Sequence, residues 1–221
     1  MPIKKIWDAM TKSKLLTSIY EETSEMNKEC KNIFEESFTC LLQCKEDTAQ
    51  KIADEDERIN KYEIKIREDI LGYLGINTAP DLGSSLTLSA VVASYERIGD
   101  YSKGIAQITF LYPTTLGDDE YYQNILIMKD TITKQFDWTY KAFKESDIEK
   151  AEQVIATYNG IKSIHEAVVE TLNKDDKIER NKAIVYATLT IYLRRISAHL
   201  KNICTSINNP FPMFGFEDDD D

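Results

Sequence analysis

From about residue 13 to residue 43, apolar side chains recur at three- and four-residue steps, among them Leu16, Ile19, Met26, Cys30, Ile33, Phe34, Phe38 and Leu41. That spacing lays them along one stripe of a 3.6-residue period, so a long amphipathic helix is predicted there. A second stripe, from about 47 to 74, carries Ile52, Ile59, Tyr62, Ile66, Ile70 and Tyr73, and the turn residues Gly75, Asn77 and Pro80 are expected to stop it. A third starts near Asp81 or Ser84, carries Leu88, Val91, Val92, Tyr95, Ile98, Ile105 and Ile108, and ends before Pro113. After the polar stretch 114–119 the same order returns. Helices are predicted over about 120–144, 147–172 and 176–207, the last broken by Asn208, Asn209 and Pro210.

Six helices in two sets of three suggest an internal duplication. The third helices match best: Tyr95-Glu96-Arg97-Ile98-Gly99-Asp100 with Lys103 and Ile105 falls on Leu193-Arg194-Arg195-Ile196-Ser197-Ala198 with Lys201 and Ile203, an offset of 98. In the second helices Ala49, Ile52, Asp56, Asn60 and Glu63 fall on Ala151, Val154, Tyr158, Lys162 and His165, an offset of 102. The copies have diverged, and the second has a helix connection four residues shorter. The expected fold is all-α: six long helices as two tandem antiparallel three-helix bundles. Residues 1–112 form the first repeat, 113–209 the second, and 210–221 an aromatic, then acidic tail read as partly docked and then solvated.

Composition narrows the functions. With 38 acidic against 27 basic residues the net charge is −11, the wrong sign for a phosphate backbone, so cations or basic protein surfaces are expected in place of nucleic acid. The start carries two lysines and no apolar core of a signal peptide, and no run reaches the 18 or so apolar residues of a membrane span, so an intracellular, cytoplasmic protein is expected. Cys30, Cys40, Cys44 and Cys204 follow no zinc or secreted-framework spacing and read as reduced core thiols. Cys40 and Cys44, four apart, have the spacing to share a helix face with a metal, but packing is the preferred reading.

The candidate chemistry is a set of oxygen ligands. Glu96 and Asp100 share one face of the third helix, and Asp56, Asn60 and Glu63 form one stripe on the second. Asp56 and Asp100 stand 22 residues either side of Thr78, so in an antiparallel pair Asp56 lies level with Asp100 and Asn60 with Glu96. Crowded carboxylates repel without a positive charge between them, and an all-oxygen set suits a divalent or ferric ion rather than zinc. The competing reading is a solvated face with Arg58, Arg97 and Lys103 as ion-pair partners. In the second repeat the matching positions hold Tyr158, Lys162, His165, Arg194 and Ala198, and Lys162, His165 and Arg194 turn a site that would gather cations into one that repels them. There Lys162, His165 and Arg194 meet either an anion or an acidic partner surface, or lie solvated with pairs such as Lys162 and Glu166.

The runs YERIGDYSKGIAQ (95–107) and DERINKYE (56–63) resemble the paired motifs of PhoU-type phosphate-signalling regulators, and RRISAHLKNIC (194–204) sits at the family's second signature. The resemblance spans nearly the whole chain. It implies spectrin-like three-helix bundles and a cytoplasmic, non-catalytic regulator acting between a phosphate transporter and a sensor kinase. It also implies a metal held by Asp56, Asn60, Glu96 and Asp100, with Glu63 beside them. The expected partners are a transporter subunit or sensor kinase, with peripheral membrane association through that partner, and a second copy of the chain as a homodimer. The alternatives are an accessory protein of a phosphate permease, a metal-free adaptor bundle, and a carboxylate-bridged metalloenzyme. The last expects Glu-x-x-His ligands, and neither His165 nor His199 follows a Glu by three residues. No Ser/His/Asp or Cys/His set and no Gly-rich phosphate loop is present, so no enzyme activity and no catalytic residue is expected.

Overall fold

The computed structural model describes residues 14–209 and 211–216, with the side chains at 46, 47, 50, 53–56 and 208 outside the description. Within those residues the chain forms α1 (Lys14–Gln43), α2 (Glu46–Ile76), α3 (Leu82–Leu111), α4 (Glu120–Glu145), α5 (Ile148–Leu172) and α6 (Arg180–Asn208), then one 3₁₀ turn at Phe211–Met213. Helices α1 to α3 pack on one another as one bundle and α4 to α6 as a second.

The ends of the helices follow from local hydrogen bonds. Asp81, Asp119 and Asp147 each stand just before a helix and accept from the backbone N–H three residues on, satisfying a donor the helix leaves open. Ser146 closes α4 in a left-handed conformation, φ 56°. Two boundaries differ from the sequence pattern. Helix α2 runs through Gly75 to Ile76, because the Asn77 amide donates to the Tyr73 carbonyl (2.7 Å) and caps the end two residues later. Helix α6 starts at Arg180 and not near 176, because the Asp175 carboxylate takes the Lys177 N–H (3.0 Å) and holds that stretch as a turn.

Apolar burial holds the bundles together. Matching positions of the two repeats are equally enclosed: Ile98 and Ile196, Ile105 and Ile203, and Tyr95 and Leu193 are all fully buried. Each such side chain contributes about 1.5–3 kcal/mol relative to exposure. Tyr95 differs from Leu193 in bringing a hydroxyl into the core, where the buried Asn27 of α1 donates to it (3.0 Å) and ties α1 to α3.

The bundles join through α3 against α6 and α1 against α4. At the α3–α6 crossing the Tyr101 ring meets that of His199, its own counterpart in the repeat, with centroids 5.9 Å apart and planes tilted by 30°. This crossing is therefore the pseudo-twofold axis. Tyr101 also meets Tyr192 (5.9 Å), whose ring lies so close to Gly104 that a Cβ there would stand 2.8 Å from a ring carbon, so the helices approach this closely only over a glycine. Beyond α6 the tail folds back: the Gly215 N–H donates to Thr205 Oγ1 (2.8 Å) with Gly215 at φ 83°, and Phe214 packs on the core. That matches the expected docking of its aromatic part. Residues 217–221 lie outside the described residues.

The cysteines are free thiols, with Cys30, Cys40 and Cys204 buried. Cys44 lies past the end of α1 at φ 50°, so it shares no helix face with Cys40, whose thiol donates to the Lys45 carbonyl instead (3.0 Å). Burial pushes the Cys204 thiol up to about 12.

Candidate functional site: two opposed helix seams

The acidic set lies where α2 packs on α3. Glu63 and Glu96 are largely enclosed, with 14% and 17% of their side chains exposed, while the arginines that answer them are about half exposed. Arg67 binds Glu63 (2.7 Å); Arg97 reaches both Glu96 (3.3 Å) and Asp100 (2.9 Å). Arg97 is thus the ion-pair partner expected for the third helix. Arg58 instead turns to Glu29 of α1 (3.2 Å), and Arg67, four residues after Glu63, was the partner the stripe pattern overlooked.

Asn60 is half-buried on α2, and the Asp56 side chain lies outside the described residues. Among the described residues no three His, Cys, Asp or Glu side chains stand close enough to hold a metal ion. The structure therefore brings Glu96 and Asp100 together on Arg97, and keeps Glu63 on its own arginine. As donors the set still suits a hard cation: Glu63 and Glu96 are enclosed, Asp100 is more exposed, their charge is met by arginines half in solvent, and no nitrogen or sulfur ligand lies among them.

The corresponding seam of the second repeat lies between α5 and α6. His165 Nδ1 and Thr190 Oγ1 are 3.1 Å apart, and the Lys201 ammonium lies over the Tyr158 ring at 5.2 Å. Burial, then the Arg194 charge, hold the His165 imidazole below its ordinary range, against the pull of Glu166. Neither Lys162 nor Arg194 pairs with a carboxylate among the described residues, so the expected Lys162–Glu166 pair does not form. At the axis, burial, then Arg195 and Arg97, lower His199 to about 4, and its buried Nδ1 has no partner. His165 thus faces Thr190, Arg194 and Glu166, and His199 faces Tyr101 and two arginines; among the described residues neither joins an acidic set of the kind a carboxylate-bridged metalloenzyme uses.

A family model of the PhoU domain matches this chain twice, over residues 23–109 and 125–207. The chain belongs to the PhoU-domain family. Its two PhoU domains span the two three-helix sets. Among solved structures it is similar to PhoU from Pseudomonas aeruginosa, with 18% identity and a TM-score of 0.79 over 87% of this chain and 95% of that one. It is also similar to the phosphate transport system regulatory protein PhoU from Streptococcus pneumoniae, with 16% identity and a TM-score of 0.78 over 86% and 92%. At those identities the likeness is one of fold. Comparison by sequence with curated proteins gives no match. No PhoU-domain helix among the described residues is long and apolar enough to cross a membrane.

Proposed function

We propose that this protein regulates phosphate uptake or phosphate signalling without catalysing a reaction, by binding a phosphate transporter subunit or a sensor kinase at the cytoplasmic side. The observation that carries the reading is the double PhoU-domain match, one per three-helix set, with the acid-bearing motifs of the first set at the α2–α3 packing. The streptococcal protein of like fold is a phosphate transport system regulatory protein, which supports the same role here.

The first repeat holds a divalent or ferric ion through Asp56, Asn60, Glu96 and Asp100, with Glu63 alongside. When bound, such an ion neutralises the acids in place of Arg67 and Arg97 and links α2 to α3. Affinity capture from detergent-solubilised membranes should retain a phosphate transporter subunit or its kinase. Metal analysis of the purified protein should find bound metal that Glu96→Ala with Asp100→Ala removes while helicity is kept. Capture of neither partner sinks the regulatory role, and unchanged metal stoichiometry in the double variant sinks the ligand assignment.

A further inference from the structure

The α5–α6 seam has a register fixed at both ends. His165 meets Thr190 at one end and Tyr158 meets Lys201 at the other, and in an antiparallel pair these contacts bracket Lys162 and Arg194 at one height. Lys162 is one turn from His165 and one from Tyr158; Arg194 is one turn beyond Thr190. The first repeat carries Asn60 and Glu96 at these positions, and its nearby cations Arg58, Arg67 and Arg97 each hold a carboxylate.

Here Lys162 and Arg194 hold none among the described residues. Arg194 buries its Nε without an acceptor, and a guanidinium N–H removed from water without a partner is an expensive arrangement to keep. Lys162 is exposed and unpaired among the described residues, although Glu166 stands four residues away. Ala198, where the first repeat has Asp100, brings no acid to this seam. Burial first, and then the Arg194 charge, oppose protonation of His165, with Glu166 pulling the other way.

We propose that this seam is an oxyanion site for inorganic phosphate, with the Arg194 guanidinium edge and the Lys162 ammonium as its charged donors and the His165–Thr190 pair as its wall. A monocarboxylate would answer only one of the two cations, whereas a phosphate dianion answers both and offers several oxygens to the planar guanidinium fork. The exposure of Lys162 leaves the site open to a small solute. The choice of phosphate among dianions rests on the regulatory role proposed above, but the binding is a property of the isolated chain and is measured without any partner.

The test is calorimetric titration of inorganic phosphate into the full chain, in buffer free of phosphate and sulfate. One saturable site per chain is expected. Lys162→Ala and Arg194→Lys should each weaken binding about tenfold or more, the second because it keeps the charge and loses the fork. Glu96→Ala with Asp100→Ala should leave phosphate binding unchanged. Because Lys162 is exposed, its variant keeps the fold, which circular dichroism verifies. No saturable binding up to ~10 mM phosphate, a concentration that would detect even a weak site, overturns the proposal. So does binding that both basic-residue variants leave unaltered. Failure to capture a transporter or kinase would leave this result standing, so the two readings fall separately.

Discussion

Between α2 and α3, Glu63 and Glu96 turn inward and half-exposed arginines answer them, whereas between α5 and α6 Lys162 and Arg194 find no carboxylate among the described residues. The apolar layer beneath is the same in both, with Ile98 and Ile105 buried as fully as Ile196 and Ile203. The contrast separates two jobs that one helix pair performs. Burial of aliphatic side chains sets the packing, and the charged row above it can change sign without moving the helices.

The largest expected effect comes from forcing the first seam to copy the second. Glu96→Arg with Asp100→Ala, measured by metal titration, should lower affinity at least about 100-fold, since it removes two oxygen ligands and adds a charge. Retained affinity would mean that the two seams do not differ in the way described.

Next is the axis, where one repeat supplies Tyr101 and the other His199. Burial and the two arginines hold His199 near 4, below the 6.5 of an unfolded chain, so unfolding takes up a proton in that interval. This contribution is complete above about pH 6.5 and is lost as the pH falls toward 4, by about 2–3 kcal/mol once partial solvation is allowed for. Denaturant melts across that range should show the loss in the wild type. His199→Tyr, which makes the axis pair symmetric, should flatten it; an identical pH profile in the variant would remove His199 from the account.

Tyr95 and Leu193 test the cores. Tyr95→Phe strands the buried Asn27 amide and should cost about 1–2 kcal/mol, most of which Asn27→Leu in the same chain should recover. No recovery in the double variant would show that the hydroxyl bond does not tie α1 to α3. The smallest effect is expected from Lys162→Ala, whose thermal unfolding should stay within about 0.5 kcal/mol of wild type because the side chain is exposed and pairs with nothing described. A larger loss would make the basic row structural.

Most of the helices were legible because a 3.6-residue period is a local signal. Six expected segments became six helices, and the errors lie where a side chain overrode the pattern: Asn77 extending α2 and Asp175 delaying α6. The seams were half legible. Spacing placed Glu96 and Asp100 on one face, but it could not say that Arg97 would hold both, nor that Arg67 would take Glu63. The Asn27–Tyr95 bond and the Tyr101–His199 ring contact were not legible at all. They join residues 68 and 98 positions apart, and only the packing of α1 on α3 and of one bundle on the other brings them together.

The contact of Tyr101 with its own counterpart His199 also bears on how such a protein can change over time. In a symmetric pair of separate, identical three-helix chains, any substitution at the axis appears twice and faces itself, so an acid gained there meets an acid and a base meets a base. Joining the two units in one polypeptide lifts that restriction. A mutation then lands on one side only, and its partner can adjust later, which is how a tyrosine comes to face a histidine. The same freedom lets Glu96 persist while its counterpart has become Arg194.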